Sequence, residues 1–567
     1  MDYLSAYKYW LEHAPVSYRD MLQSMEGNGL ALRECFGSEL AFGTAGIRGI
    51  MGLGCNRLNE FTVRRTAQGI AKWLNGTRLP KRCAIGYDSR HNSRQYAEIC
   101  GAALAESGIQ VLIYHELAPT PMLSYAVRKL KCGCGIMVTA SHNAGMYNGI
   151  KCYGEDGCQM TDEPAAIVYR EIQNTPYFLL PEKSFDQLKT EGRIEDIPAS
   201  VWEDYCDRVM QEGLNLERVK ASGLRILYTP LCGTGNKPVR ELFRRIGLQA
   251  EIVTSQEKPD GDFKTCTYPN PETDAALNES YKLAQKLHPD LIIGTDPDAD
   301  RVAVAVPVAG GFRKLSGNEL GCVLLDYILR VRSERGDLPA GAEVIKSIVS
   351  TPLADRIAEH YGVCMCNVLT GFKYIGGEIL RLEGLGQEDR FVFGFEESCG
   401  YLKGSYARDK DAVVATMLVC EAAAYAKENG MNLADYMDAL CRQFGCYCAY
   451  VQSVELQGVS AGEISKAFMS KIRENCPTEL AGCKLTATVD YLRGVRKCLK
   501  CGKEEPTGLP KSNVFTLELG EQGKIILRPS GTEPKIKLYY TAIGKSWDEA
   551  NQLMEQLKNA MRDYLPE

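Results

Sequence analysis

The chain has 567 residues, 45% apolar and 24% charged, with 66 basic against 72 acidic side chains and a formal net charge of -6. That is ordinary globular composition for about three to four domains, and its mild acidity argues against nucleic acid as the main partner, which calls for a basic excess. No stretch reaches the roughly 20 apolar residues of a spanning helix, the run 412–420 stops at Glu421, and the charged start MDYLSAYKYWLEH has no signal-peptide core, so a cytoplasmic protein is expected.

Along the chain, CAIGYD (83–88) reads as a strand, 92–107 as a helix, QVLIYH (110–115) as a strand, 121–130 as a helix and GIMVTA (135–140) as a strand. A similar unit follows: LRILYTP (224–230), a helix over 236–246, EIVT (251–254), a helix over 275–287 and LIIGTD (291–296). A third runs through EVIKSIV (343–349), a helix over 352–361, CMCNVL (364–369) and FVFGFE (391–396). Apolar strands joined by crossover helices predict α/β layers with largely parallel sheets. From about Cys446 the pattern changes to strand-like runs, a helix over 461–474, KIILRPS (524–530), KIKLYYT (535–541) and a last helix over 547–563. This reads as a smaller α+β domain, with the polar stretch 500–510 as a loop inside it.

Cysteine is abundant, at 23 residues. Without a secretory signal these are expected to be free thiols in a reducing compartment. Cys83, Cys364 and Cys420 lie in apolar runs, where a thiol behaves as a small hydrophobe. Cys498 and Cys501 form a single CxxC; structural zinc would need two further ligands at suitable spacing, and no His lies nearby.

Five segments carry chemistry. GTDPDADR (294–301) sets Asp296, Asp298 and Asp300 in one tight loop after a strand. Three carboxylates so close repel unless a cation neutralises them, and all-oxygen ligands suit Mg²⁺ or Ca²⁺. An EF-hand would need Gly and Glu where Arg301 and Pro307 stand, so that reading fails. VTASHNAGMYNGIK (138–151) runs from a strand into Ser141 and His142, with Lys151 ten residues on; no GxSxG elbow surrounds Ser141. RPSGTEPKIK (528–537) has the composition of a phosphate-binding loop without a Walker pattern. GFEESCGY (394–401) offers adjacent carboxylates and a hydroxyl suited to sugar hydroxyls, and FGTAGIRG (42–49) is a Gly-rich turn carrying Arg48. A dinucleotide fingerprint at Gly233 and Gly235 would need a third Gly where Pro238 stands.

Together TASHN, DPDADR, FEES and RPSGTEPKIK, in this order, resemble the signature loops of the α-D-phosphohexomutase superfamily, the phosphoglucomutases and phosphomannomutases. The resemblance spans residues 42–540 and is strongest to the long bacterial phosphoglucomutase branch. It implies three similar mixed α/β domains (1–208, 209–315, 316–445) and a smaller α+β domain (446–567) around a central cleft. It implies that Ser141 carries a phosphoryl group, exposed at a strand's end, and that Asp296, Asp298 and Asp300 hold one Mg²⁺ against it. His142, Lys151, Arg48 and Arg301 would surround the transferring group, with Lys151 as general base. Glu396 and Ser398 would grip sugar hydroxyls, Lys410 would lie near the substrate, and Arg528, Ser530, Gly531 and Thr532 would hold the idle phosphate. The implied activity interconverts α-D-glucose 1-phosphate and glucose 6-phosphate, with glucose 1,6-bisphosphate as intermediate and activator, in a monomer or dimer. Mannose or pentose phosphates, a bisphosphate synthase or phosphatase, and a silent sugar-phosphate sensor are the alternatives.

Overall fold

The computed structural model describes residues 2–43, 46–456, 461–530 and 535–566. In the first sheet β1 (Gly46–Ile50), β2 (Arg82–Tyr87), β3 (Gln110–Ile113), β4 (Cys134–Val138), β5 (Tyr147–Gly154) and β6 (Ile194–Asp196) take the order β1-β5-β4-β2-β3-β6. Strands β4, β2, β3 and β6 are parallel, and β5 and β1 add antiparallel at one edge. The second sheet repeats the plan: β7 (Ile226–Thr229), β8 (Ala250–Ile252) and β9 (Leu291–Thr295) are parallel, while β10 (Val302–Val308) and β11 (Gly311–Leu315) are antiparallel at the edge. In the third, β12 (Glu343–Ser347) lies parallel to both β13 (Cys364–Val368) and β14 (Phe391–Glu396), with β15 (Gly400–Leu402) antiparallel to β14. The sheets are therefore mixed, with parallel centres. Central strands such as β4 and β9 are buried along their whole length because helices cover both faces.

One continuous apolar core links the three sheets, from Leu123 and Tyr205 through Tyr228 and Val304 to Leu324, Phe393 and Leu418. It fixes the strand ends that carry the site loops. The amino-terminal helices Tyr3–His13 and Gly29–Phe36, which the periodicity argument did not isolate, bury Trp10, Leu32 and Phe36 against Phe61.

The carboxy-terminal sheet is antiparallel: β16 (Cys446–Glu455), then, past a small pair β17 (Glu479–Leu480) and β18 (Cys483–Lys484), β19 (Ala487–Asp490), β20 (Val495–Cys498), β21 (Glu504–Pro506), β22 (Phe515–Glu518), β23 (Gly523–Pro529) and β24 (Lys535–Gly544). One face packs Leu517, Ile525 and Leu538 against Phe468 and Leu557 of its helices. The other sets Val489, Tyr491, Ile526 and Tyr539 against Ile348, Val349 and Leu369 of the third sheet's unit, where Lys524 Nζ also donates to the Ile348 carbonyl at 2.8 Å.

Three expectations need correction. The polar stretch 500–510 is not all loop, since β21 forms the sheet edge there. It reads as loop because its residues are exposed; the pairing rests on opposite charges across the ladder, Arg496 facing Glu505 and Lys497 facing Glu504. Cys83 and Cys420 are buried, but Cys364 is exposed, because β13 is an edge strand. Finally, Cys441 and Cys446 are joined as a disulfide between the helix Leu433–Phe444 and β16, so free thiols do not hold throughout. Among the described residues no helix is long and apolar enough to cross a membrane.

Candidate functional site

The loop between β4 and β5 holds Ser141 in the left-handed region, at φ +52°, a conformation that persists only when its surroundings over-determine it. The surroundings are polar and buried. Arg90, whose side chain is wholly buried, donates to the carbonyls of Ser141 (2.6 Å), Ala144 (2.9 Å), Tyr147 (3.1 Å) and Asn143. Asp88 anchors Arg90 at 3.3 Å and accepts from Thr139 Oγ1 at 2.6 Å; that hydroxyl oxygen accepts the Ser141 N–H at 2.8 Å. Neither Asp88 nor Arg90 belongs to a recognisable motif, and only the folded arrangement reveals them.

The carboxylate loop joins β9 to β10. Asp296 Oδ1 accepts the N–H groups of Asp300 (3.1 Å) and Arg301 (3.0 Å), and Ala299 takes φ +50°. Gly233 is needed here for packing: a Cβ would lie 2.4 Å from Pro297 Cα. Carboxylate oxygens of Asp296, Asp298 and Asp300 come within 4.8 Å of one another, all buried, the only such group of three among the described residues. The Oδ1 atoms of Asp298 and Asp300 are buried without a hydrogen-bond partner. Burial, then the charges of Asp298 and Asp300, push the Asp296 carboxyl well up. Orphaned oxygens and mutual repulsion fit a hard divalent cation.

The two loops meet. Ser141 Oγ donates to Asp296 Oδ2 at 3.0 Å and lies 3.1 Å from His142 Nδ1. Ser141 is thus buried rather than exposed, because the carboxylate loop packs over the strand end that carries it. Burial, then the charges of Arg301 and Arg48, hold His142 well below its usual range, as a neutral imidazole. Lys151 Nζ donates to Asp298 (2.7 Å) and Asp300 (3.1 Å). Burial opposes its charge, but the two carboxylates prevail and raise its pKa. In this arrangement Lys151 Nζ donates to both carboxylates, which favour its charged form. Lys410 lies 3.3 Å from Asp300 and 2.9 Å from Asp409, which Tyr153 also holds at 2.8 Å.

The other expected residues surround this cluster. Arg48 on β1 is exposed and donates to Asn143 Oδ1 at 2.8 Å, and Arg301 pairs with Glu272. Glu396, buried at the end of β14, accepts the Gly371 N–H at 2.8 Å; Ser398 sits in the turn before β15. Glu397, beside them, is pushed up to about 7 by burial and then by Glu396 and Glu272. Arg528 lies on β23, not in the carboxylate cluster, with Lys537 opposite it across the ladder. Ser530 N–H donates to the Lys535 carbonyl at 2.8 Å. Gly531 and Thr532 lie outside the described residues.

Thr120 escaped the sequence reading. Its N–H donates to the Asp298 carbonyl and its hydroxyl to Asp298 Oδ2, both at 2.9 Å. Pro119 and Pro121 mark a helix start there, but nothing local ties it to a carboxylate 178 residues away. Groups that orient a metal's ligands typically contribute 10–100-fold in affinity. Thr120→Val is therefore expected to weaken divalent-cation binding about ten-fold by calorimetry, with Thr120→Ser restoring it. Equal affinity in both variants would make the contact merely structural.

Family models for phosphoglucomutase/phosphomannomutase match the chain in series: α/β/α domain I at 39–177, domain II at 203–310, domain III at 316–444 and the C-terminal domain at 516–560. A phosphoglucomutase of Staphylococcus epidermidis is 37% identical over 534 residues, 93% of this chain and 95% of that protein. One of Staphylococcus aureus is 37% identical over 546 residues, 96% of each. Among solved structures, a phosphoglucomutase/phosphomannomutase family protein from Burkholderia thailandensis superposes with TM-score 0.67 at 15% identity, covering 93% of this chain and 97% of that one. The Paramecium phosphoprotein pp63/parafusin, a phosphoglucomutase in its open form, gives 0.66 at 18% identity, covering 93% and 95%.

Proposed function

The chain belongs to the phosphoglucomutase/phosphomannomutase family, and from that premise we propose that it interconverts α-D-glucose 1-phosphate and glucose 6-phosphate through a phosphoserine at Ser141. The observation that carries this reading is the 3.0 Å contact between Ser141 Oγ and Asp296, inside a carboxylate group in which Oδ1 of Asp298 and Oδ1 of Asp300 lack hydrogen-bond partners. Asp296, Asp298, Asp300 and the Ser141 side chain would hold one Mg²⁺, which supplies charge neutralisation at the transferring phosphoryl group.

The phosphoryl group of phosphoserine 141 passes to the free C6 hydroxyl of glucose 1-phosphate. Glucose 1,6-bisphosphate forms, and the proton of the attacking hydroxyl ends on Ser141 Oγ. Neutral His142, 3.1 Å from that oxygen, can carry this proton. After the bisphosphate turns over in the cleft, its C1 phosphoryl group returns to Ser141 and glucose 6-phosphate leaves. Phosphoryl transfer asks mainly for positioning and neutralisation, the roles assigned to Lys151, Arg48, Arg301 and Lys410. Glu396 and Ser398 are assigned to sugar hydroxyls. A panel of glucose, mannose and pentose phosphates, each with and without the matching bisphosphate, tests the reading. Highest kcat/KM for glucose phosphate with bisphosphate activation supports it. Preference for mannose or pentose phosphate, or net phosphate release, selects an alternative.

Arg528 is assigned to whichever phosphate is idle, with Ser530, Gly531 and Thr532. Its guanidinium can grip phosphate in a bidentate way that Lys cannot copy. A charged hydrogen bond is worth about 1.5–3 kcal/mol, roughly ten- to hundred-fold in binding. Arg528→Ala is expected to raise KM for glucose 1-phosphate by that factor and to release more bisphosphate per turnover. Wild-type values for both would return the loop to a structural role.

A further inference from the structure

The CxxC pair takes no part in the transfer chemistry. It lies at the tip of the β20–β21 hairpin, at the exposed edge of the last sheet. Cys498 stands opposite Ala487, at the far end of the ladder from Tyr491, which packs on the third sheet's unit. The turn is tight. Cys498 N–H donates to the Lys503 carbonyl and Gly502 N–H to the Cys498 carbonyl, both at 2.9 Å, with Gly502 at φ +72°. Lys500 and Cys501 lie within this closed turn. Cys501 is exposed and Cys498 half-buried, so both thiols can be reached from solvent.

We propose that Cys498 and Cys501 form a reversible dithiol–disulfide site that exchanges with small disulfides in solution. Hydrogen bonds from the Cys501 thiol and from the N–H groups of Cys501 and Lys500 hold the Cys498 thiol below its usual range, with Arg496 adding a smaller pull. Among the described residues, the other free cysteines with displaced values are all pushed up, burial being the first cause in each. Cys498 is therefore the sulfur assigned to the attack, the thiolate being the nucleophilic form. Lys500 lies between the two cysteines, while Arg496 and Lys503 are paired with Glu518 and Glu505, each at 2.7 Å, and Lys497 faces Glu504, so a small disulfide such as glutathione disulfide meets a tip of mixed charge. Among the described residues no third Cys, His, Asp or Glu joins the two sulfurs in a metal-sized group, which suits a disulfide better than structural zinc.

The exchange balances in two steps. Cys498 thiolate attacks one sulfur of glutathione disulfide, forming a mixed disulfide and releasing one glutathione thiolate. Cys501 then gives up its proton and attacks Cys498 Sγ, closing the protein disulfide and releasing the second glutathione thiolate. The protein pair loses two electrons and the small disulfide gains them; the thiol protons end on the two glutathiones.

The full chain, incubated with glutathione disulfide at pH 7 and mapped by mass spectrometry, decides the matter. The expected product is the Cys498–Cys501 peptide lighter by two hydrogens and restored by dithiothreitol. Cys501→Ser should stop at glutathione on Cys498, and Cys498→Ser should leave Cys501 slow. In untreated wild type, Cys498 should alkylate about ten-fold faster than exposed Cys364. First reaction at Cys364, failure of the pair to close, or zinc retained stoichiometrically by wild type and lost in Cys498→Ser would each overturn the proposal.

Discussion

Ser141→Ala is expected to abolish turnover, by about 10⁴-fold or more as for other lost nucleophiles, while leaving the protein folded. The side chain is buried, so the substitution is not free: it removes one hydrogen bond to Asp296, a contribution of about 1 kcal/mol. That is small beside the network of Arg90, Thr139 and Asp88, which shapes the loop through backbone atoms that alanine keeps. Intact-mass measurement should find one phosphate on active wild type, mapped to Ser141, and none on the variant. Phosphate at another residue, or near-normal activity without the hydroxyl, would remove Ser141 from the mechanism.

What could be read from the sequence was whatever is local in sequence. Asp296, Asp298 and Asp300 are spaced two apart after an apolar strand, and their oxygens lie within 4.8 Å. The strand–helix units were legible for the same reason, since each strand's run of buried residues is continuous along the chain. Long-range partnerships were not legible. Thr120, Asp88, Arg90 and Glu272 belong to no motif, and each acquires its role from a segment brought to it by packing. The setting of Lys151 is another such property: ten residues from Ser141 it reads as either a positive charge or a base, and nothing local signals the two carboxylates of the second sheet's loop that favour its charge. Cys364 and β21 failed for a third reason. An apolar or polar run predicts a face, but whether that strand is an edge depends on the order of its neighbours.

Asp298→Asn is expected to uncouple the cation from the protein. Asp298 divides its oxygens: Lys151 at 2.7 Å and Thr120 at 2.9 Å share Oδ2, while Oδ1 has no hydrogen-bond partner. An amide must set its NH₂ either against those two donors or where the cation's ligand oxygen would be. Both orientations cost affinity, and the loss of one negative charge adds to it. In chelator the variant should differ little in stability, because relieved repulsion among the carboxylates opposes the loss of a partner for Lys151. With the cation the two proteins should separate. At a Mg²⁺ concentration 100 times the wild-type Kd, binding stabilises wild type by about 2.7 kcal/mol. A hundred-fold weaker site gains only about 0.4 kcal/mol at the same concentration. Thermal unfolding with and without Mg²⁺ measures this directly, and turnover after chelation and add-back should follow the same order. An equal Mg²⁺-dependent rise in Tm for both proteins, or full wild-type activity in excess chelator, would remove Asp296, Asp298 and Asp300 from the metal site.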